Sequence, residues 1–335
     1  MTRRDGIIRL TALENEARTL SPMATLARDT RGRTRPEPEC PVRTPFQRDR
    51  DRIIHSKAFR RLKDKTQVFI APEADHFRTR LTHTLEVCQI ARTIARGIGL
   101  NEDLTEAIAL GHDLGHTPFG HAGEEVLNRV HPGGFSHNEQ SLRVVDVLEA
   151  GGLNLTWEVR DGILNHPWRG SPATEEGRCV QLADRIAYVN HDIDDAVRGG
   201  ILKGDELPKD AVEVLGDTHG KRINTLVIAA IEQSLEMGRV MLRGEILEAL
   251  DRLRSFLFER VYVDSAAKKE EEKAKGVVES LYRYYVLHPG EVPLSYDVDP
   301  GPEVRACDYV AGMTDRFAIA QYNKLFVPRT WKLDQ

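Results

Sequence analysis

The chain has 335 residues, of which 40% are hydrophobic, enough for one large core or for a core with a helical annex. Its four cysteines form no CxxC pair, so we expect neither a disulfide framework nor a thiolate zinc site. This favours a reducing cytosol as the location of the protein. The N-terminus lacks an apolar signal region, and no run approaches the roughly 18 apolar residues of a membrane span. We therefore expect a cytoplasmic protein without membrane partners. The net charge of -5 argues against duplex-DNA binding by the whole surface, although a local basic patch could hold phosphates.

The first 52 residues contain twelve arginines and no lysine, together with eight acids. Prolines are frequent between positions 22 and 45, so we predict an extended loop there and an arginine- and proline-rich arm over residues 1–45. An organellar transit peptide is the alternative, but such peptides are poor in acids. Arginine suits bidentate phosphate contact, so a polyanion, nucleotide or single-stranded nucleic acid effector at Arg28–Arg52 is a further hypothesis.

From Phe46 onward the spacing of apolar residues predicts an all-α fold. Apolar residues three or four positions apart, from Leu81 to Ile98, predict a helix that ends near residues 97–99, and the same spacing from Leu104 to Leu114 predicts the next. Further helical patterns cover 139–149, 156–165, 178–197, 222–237, 244–262, 266–286 and 303–325. No segment has a convincing alternating pattern of the kind typical of a strand. Short hairpins within the loops are an alternative that the sequence leaves open.

Two imidazoles and two carboxylates form a candidate metal-ligand set: His83, His112, Asp113 and Asp184. This mixture of nitrogen and oxygen donors suits Mn, Fe, Co, Ni or Zn, and Mg less well. Neighbouring helical side chains diverge by about 100°, so one ion can bind His112 and Asp113 only at a helix end or between helices. Scattered structural residues are the alternative. Three histidines within ten positions, in HDLGHTPFGH, argue against it.

Several segments of the chain resemble the HD-domain deoxynucleoside triphosphate triphosphohydrolases of bacteria. They are DRIIHSKAFRRLKDKTQVF, RLTHTLEV, LGHDLGHTPFGHAGE, FSHNEQSLRVV, LADRIAYVNHDIDDA and, near the C-terminus, DYVAGMTDRFA. The resemblance implies a catalytic core over residues 46–200, a helical part over residues 201–335 that packs on it, and one catalytic metal bound by the four candidate ligands.

The same resemblance implies roles for the residues around the metal. It puts His121 beside the reacting phosphate, Glu124 one turn away to orient it, His137 as a second active-site histidine and His116 near the phosphates. Hydrolysis at phosphorus needs a proton for the departing oxygen, and His121 could serve as acid or base. Alternatives stay open: Glu124 as an ordinary first-turn acid, His137 with a local hydrogen bond, and His116 as a support for His112.

Asp184, Tyr188, Asp192 and Asp195 share one helix face by their spacing. The resemblance implies triphosphate contacts by Arg80, Arg185 and Tyr188, and sugar contacts by Gln67 and Asp192. Arg185 stands where the family often has Lys, so its phosphate contact would be forked. The alternatives are surface cations for Arg80 and Arg185, a loop amide for Gln67, a solvated acid for Asp192 and a salt-bridge partner for Asp195.

The resemblance implies hydrolysis of dGTP or other dNTPs to deoxynucleoside and tripolyphosphate. Another HD activity, a 5′-nucleotidase or phosphodiesterase, is one alternative, and a nucleotide sensor without turnover is another. The residues alone indicate a metal-assisted phosphate-ester hydrolase with cations near the metal. The resemblance also favours a ring-like or dimer-based homo-oligomer, and leaves the native metal, the preferred base and activation by an allosteric nucleotide open.

Overall fold

The computed structural model describes residues 6–67, 77–149, 151–262, 268–296 and 301–328. Within these ranges the chain is helical and no strand is found, so the all-α prediction is confirmed. The α-helices in chain order are α1 (Ile7–Thr19), α2 (Pro45–Ile54), α3 (Lys57–Arg61), α4 (Arg80–Ile98), α5 (Glu102–Gly111), α6 (His121–Val130), α7 (His137–Arg143), α8 (Trp157–Asn165), α9 (Glu175–Arg198), α10 (Lys209–Leu215), α11 (His219–Met237), α12 (Gly244–Leu257), α13 (Lys268–Leu287), α14 (Pro302–Ala311) and α15 (Asp315–Phe326). Single π-turns follow α7 at Val144–Leu148 and α12 at Phe258–Tyr262.

The helices that surround the candidate metal ligands begin and end at residues suited to those positions. Thr79 forms a capping box with Thr82 at the start of α4, and Gly99 ends that helix in the left-handed region at φ 73°. The Asn101 side chain accepts a hydrogen bond from the Leu104 backbone N–H and so caps α5. Helix α5 ends at Gly111, which leaves His112 as its C-cap.

The larger hydrophobic core lies among α2, α4, α5, α8, α9, α11 and α12, with α4 packed against both α5 and α9. Helices α5 and α8 approach closely through a reciprocal pairing of glycine and isoleucine. A Cβ at Gly111 would lie 2.6 Å from Ile163 Cδ1, and one at Gly162 would lie 2.5 Å from Ile108 Cδ1. Because an added methyl group would overpack this contact by about 1–3 kcal/mol, only glycine allows the two helix ends to meet.

A smaller core lies among α6, α13, α14 and α15. The loop between α5 and α6 joins the two cores, since its Leu114 packs in the larger one and its Phe119 in the smaller. The sequence predicts one helix over 303–325, and this prediction is wrong. The chain breaks at Gly312–Thr314, where the Thr314 hydroxyl accepts the Phe317 N–H and starts α15.

The N-terminal arm contacts the core, where Arg33 of the arm and two arginines of α2 pair with acids. Arg33 contacts Asp49, and Glu37 accepts ion pairs from Arg33, Arg48 and Arg52. These pairs attach the arm to the core, and a polyanion, nucleotide or single-stranded nucleic acid effector at Arg28–Arg52 stays a hypothesis.

Candidate active site

Helices α4, α5 and α9 bring the first group of candidate metal ligands together. His83 Nε2 on α4 lies 3.1 Å from Asp184 Oδ1 on α9, and His112 Nε2 at the end of α5 lies 4.0 Å from the same oxygen. One ligand atom from each of these residues lies within 4.8 Å of the other two. Asp113 adjoins the group, with its Oδ2 3.6 Å from His112 Nε2. The four residues that the sequence singled out are therefore neighbours.

The donors of this group fit a divalent metal. His112 Nδ1 lies 2.6 Å from the Ala109 carbonyl oxygen and must donate to it. In the neutral ring, Nε2 then carries a free lone pair. That Nε2 is buried and has no hydrogen-bond partner among the described residues. An imidazole fixed through Nδ1 by a backbone carbonyl is the usual form of a metal-ligating histidine, and mixed nitrogen and oxygen donors suit Mn, Fe, Co, Ni or Zn.

Both carboxylates of the group are held in the ionised form that a metal requires. Burial alone would raise the pKa of Asp184, but the hydrogen bond from His83 lowers it to about 2. Burial opposes ionisation of Asp113 too, yet the charge of Arg80, 2.7 Å away, holds its pKa well below the usual range. Both carboxylates are therefore negatively charged inside the protein.

Arg80 lies inside the protein, only 2% exposed, and its Nη1 donates to Asp113 Oδ2 at 2.7 Å. The alternative of a surface cation is therefore wrong for this residue. Its Nε is buried without a hydrogen-bond partner in the described ranges, and its Nη2 lies 3.1 Å from the position of a Cβ on Gly120. Part of the guanidinium fork thus remains available beside the loop that leads into α6.

Glu124 joins two histidines at the start of α6 and α7. One oxygen lies 3.1 Å from His121 Nδ1, and the other lies 2.8 Å from both the backbone N and the Nδ1 of His137. Burial would raise the pKa of Glu124, but the hydrogen bonds from the two histidines outweigh it and hold that pKa well below its usual range. Glu124 is therefore an ionised acceptor, and the alternative of an ordinary first-turn acid does not describe it. The side chain of His121 is 80% exposed, which leaves its Nε2 edge open.

His116 links these histidines to the metal-ligand group. Its ring stacks on that of His137 with centroids 4.2 Å apart, and its Nε2 lies 3.5 Å from Asp113 Oδ1. Burial and the charges of Arg80 and His137 lower the pKa of His116 well below its ordinary value. The structure thus places His116 between Asp113 and His137. The alternative from the sequence was that His116 supports His112.

His166, which the sequence analysis missed, completes the row of imidazoles. It follows α8, its Nε2 lies 3.2 Å from His137 Nε2, and its ring lies edge-on to that of His112 with centroids 5.0 Å apart. Burial, with the charge of His137, lowers its pKa to about 3, so the ring is neutral. The only local signal was a histidine at the end of a predicted helix.

The face of α9 beyond Asp184 is buried. Arg185 is 4% exposed, pairs with Asp251 and lies over the Trp168 ring at 4.0 Å, so it is not a surface cation. Asp192 is also 4% exposed, which rules out a solvated acid. Asp195 pairs with Arg78 at 2.7 Å and is therefore the salt-bridge partner that the sequence offered as an alternative.

Gln67 lies at the end of the described segment 6–67. Its Oε1 is buried and finds no hydrogen-bond partner in the part of the chain that the structure describes. Its backbone carbonyl oxygen lies 3.5 Å from the position of a Cβ on Gly120, which is also the neighbour of Arg80. Gln67 therefore faces the same loop as the guanidinium of Arg80, and its side-chain oxygen can accept a further hydrogen bond.

Two further residues position this loop, and sequence reasoning gave neither a role. Asp315, the first residue of α15, accepts hydrogen bonds from the Phe119 N–H at 2.9 Å and from the Thr66 N–H at 2.9 Å. Lys65 is buried, and its Nζ donates to the carbonyls of His116 and Ala311. Burial, with the charges of Arg61 and Arg80, lowers the pKa of Lys65 to about 7. The C-terminal helices thus hold the loop that bears His116 and His121.

Comparison with known proteins agrees with this architecture. Residues 80–189 match the HD domain, and residues 240–324 match the phosphohydrolase-associated domain. A deoxyguanosinetriphosphate triphosphohydrolase-like protein of Caldanaerobacter subterraneus is 60% identical over 323 residues, which cover 95% of each chain. The chain belongs to this family of HD phosphohydrolases. A second member, from Desulfatibacillum aliphaticivorans, is 48% identical over 92% of this chain and 95% of its own.

Family membership is consistent with the fold. A solved phosphohydrolase from Bacteroides thetaiotaomicron superimposes with a TM-score of 0.50 at 16% identity, over 80% of this chain and 66% of its own. In the present chain, the segment that matches the HD domain contains His83, His112, Asp113 and Asp184. The segment that matches the associated domain contains Asp315. None of the helices within the described ranges has the length and hydropathy that crossing a membrane requires.

Proposed function

We propose that the protein hydrolyses deoxynucleoside triphosphates at the α-phosphorus and releases the deoxynucleoside and tripolyphosphate. The observation that supports this most is the row of imidazoles joined by Glu124, which directly adjoins a metal-ligand group. The names of its relatives, deoxyguanosinetriphosphate triphosphohydrolase-like proteins, favour the same substrate class. We propose His83, His112, Asp113 and Asp184 as the ligands of one divalent ion of Mn, Fe, Co, Ni or Zn.

When bound, such an ion supplies an activated water and neutralises charge on the phosphate oxygens. The chain itself supplies the proton transfer. His121 is held through Nδ1 by Glu124, which leaves its exposed Nε2 for a substrate oxygen. Because Nε2 faces outward, we assign His121 as the group that gives a proton to the departing 5′-oxygen. His137, held by the other oxygen of Glu124, keeps that carboxylate in place.

Arg80, Arg185 and His116 are proposed to bind the phosphates. Arg80 can keep one N–H on Asp113 and direct the rest of its fork to a phosphate oxygen, since guanidinium has five donors and no acceptor. Tyr188 lies beside Arg185 on the same helix and is proposed to share this role. For the sugar, we propose that Gln67 and Asp192 bind the 3′-hydroxyl, because an amide and a carboxylate can both bond it.

Product analysis by ion-exchange chromatography tests the proposal. The metal-loaded protein is incubated with each of the four dNTPs, alone and in mixtures, with His121→Ala and a chelator-treated sample as controls. Tripolyphosphate and deoxynucleoside are expected from the wild type, and neither from the controls. Orthophosphate as product would indicate a nucleotidase-type HD activity, and binding without turnover would indicate a sensor; both refute the proposal. Turnover that appears only in mixtures would reveal activation by a second nucleotide.

A further inference from the structure

The guanidinium of Arg185 has an ionic partner, an aromatic partner and an unused donor. Its Nη2 pairs with the carboxylate of Asp251 on α12, and its Cζ lies 4.0 Å from the centroid of the Trp168 ring. Its Nε is buried and has no hydrogen-bond partner among the residues that the structure describes. The side chain of Arg185 is 5% exposed, whereas that of Asp251 is 48% exposed. The ion pair therefore joins a buried cation to an acid that water can reach.

A phosphate and Asp251 would use the same nitrogen of Arg185. A forked contact between a guanidinium and an oxyanion takes either Nε with Nη2 or Nη1 with Nη2. Both forms need Nη2, the nitrogen that the Asp251 carboxylate contacts. Two anions at one nitrogen repel each other. A phosphate that binds the fork of Arg185 therefore competes with Asp251.

The surroundings of Arg185 keep it in place when the carboxylate leaves. The Trp168 ring supports the face of the guanidinium and carries no charge that a phosphate would have to displace. The charge of Arg254, one turn after Asp251 on α12, opposes that of Arg185. Without the charge of Asp251, two cations would lie close together. Such a pair is stabilised by any other anion that takes the place of the carboxylate.

We propose that Asp251 is a counter-ion that the triphosphate displaces from Arg185, and that Asp251 thereby sets the affinity of the site for phosphates. The inference rests on the proposed function, which assigns Arg185 to the phosphates. Because Asp251 returns to Arg185 as the phosphates leave, it also favours the release of tripolyphosphate. Arg185 lies in the segment that matches the HD domain, and Asp251 lies in the segment that matches the associated domain. The associated domain thus contributes to substrate affinity through one carboxylate.

Calorimetric titration with dGTP tests this without any measurement of turnover. The metal-loaded protein carries His121→Ala, so that the nucleotide is not consumed during the titration. Adding Asp251→Asn to this background is expected to tighten dGTP binding about tenfold, because it removes a like charge close to the phosphate. Deoxyguanosine, which has no phosphate, is expected to bind equally to both proteins. Asp251→Glu restores the carboxylate and is expected to restore the weaker binding of dGTP.

The matched control is Asp210→Asn, which removes an exposed carboxylate that pairs with Arg252 on the same helix α12 and is expected to leave dGTP binding unchanged. Weaker dGTP binding in Asp251→Asn would overturn the proposal, since Asp251 would then hold Arg185 in the orientation that binds phosphate. Unchanged dGTP binding, or no binding to either protein, would overturn it as well. So would equal tightening in Asp210→Asn or for deoxyguanosine. The proposed hydrolysis fails separately, by product analysis, whatever the affinities are.

Discussion

The link between the C-terminal helices and the active-site loop can be broken with a single atom exchange, Asp315→Asn. Asp315 is 6% exposed, and its two oxygens accept from the Phe119 N–H at one end and from the Thr66 N–H and hydroxyl at the other. Asparagine has the same shape but only one acceptor oxygen. Whichever way the amide is turned, its NH₂ faces a buried N–H, and that group loses its partner.

The size of the effect follows from these contacts. An unsatisfied buried N–H costs about 1–3 kcal/mol, and the bonds that survive lose about 1 kcal/mol because the acceptor is no longer charged. We therefore expect a loss of about 2–4 kcal/mol. At about 2 °C per kcal/mol for a chain of this size, the melting temperature falls by about 4–8 °C. Phe119 has a φ of 61°, a conformation that costs about 1 kcal/mol and persists only while its neighbours hold it.

Thermal unfolding and dGTP turnover are measured together on the purified variant. Because Phe119 precedes His121 by two positions, we expect turnover to fall at least about tenfold while the metal content stays at the wild-type level. The matched control is Asp217→Asn, since Asp217 is exposed and pairs only with the exposed Lys221 among the described residues. It is expected to change neither quantity. A melting temperature and a turnover equal to wild type in Asp315→Asn would refute the positioning role.

Three further predictions concern the metal, the sugar and the pH dependence. His112→Ala is expected to lose metal and activity together. His121→Ala is expected to keep the metal and to lose activity by a factor of about 10²–10⁴. Metal analysis of both variants decides, and loss of metal in His121→Ala would make His121 a ligand. We expect kcat/KM for dGTP to exceed that for GTP at least about tenfold, because burial of an unpaired 2′-hydroxyl costs roughly 1–3 kcal/mol, and dideoxy-GTP to be poor as well. Equal values for all three nucleotides, on wild type and on Gln67→Ala, would exclude the sugar contact. Burial raises the pKa of Glu176 from 4.5 to about 6. Between pH 4.5 and about pH 6 the native state therefore binds more protons than the unfolded state. The stability that the protonated Glu176 contributes is lost as the pH rises through this range. The difference in unfolding free energy between wild type and Glu176→Gln, measured with urea, should therefore fall by about 2 kcal/mol from about pH 4 to pH 7, and a constant difference would contradict the pKa shift.

Local patterns in the sequence were sufficient for several of the helices and for one group of ligands. The three-to-four-residue spacing of apolar side chains located α4, α5 and α9, because those helices bury one face in the larger core. His112 and Asp113 were expected at a helix end, and the structure has α5 end at Gly111. The break at Gly312–Thr314 was not predicted, since apolar residues continue on both sides of it.

His166 shows what such patterns leave out. Nothing near it in sequence is a ligand motif, and it lies 29 positions from His137. Its approach to His112 and His137 depends on the glycine–isoleucine contacts between α5 and α8, at Gly111 with Ile163 and at Gly162 with Ile108. Those contacts are a property of tertiary packing, so a histidine at a helix end has no visible role until the partner helix is placed.

The same holds for the late block DYVAGMTDRFA, which contributed to the resemblance without any role of its own. Its two aspartates act at long range. Asp308 accepts from Gln140 and Arg143 of α7. Asp315 accepts from Thr66 and Phe119, at separations of 249 and 196 positions. Each carboxylate satisfies donors on a segment that bears or adjoins an active-site histidine. A site assembled in this way requires the C-terminal helices to be folded before the loop is fixed, so truncation before α14 would remove the loop's geometry even with every HD ligand in place.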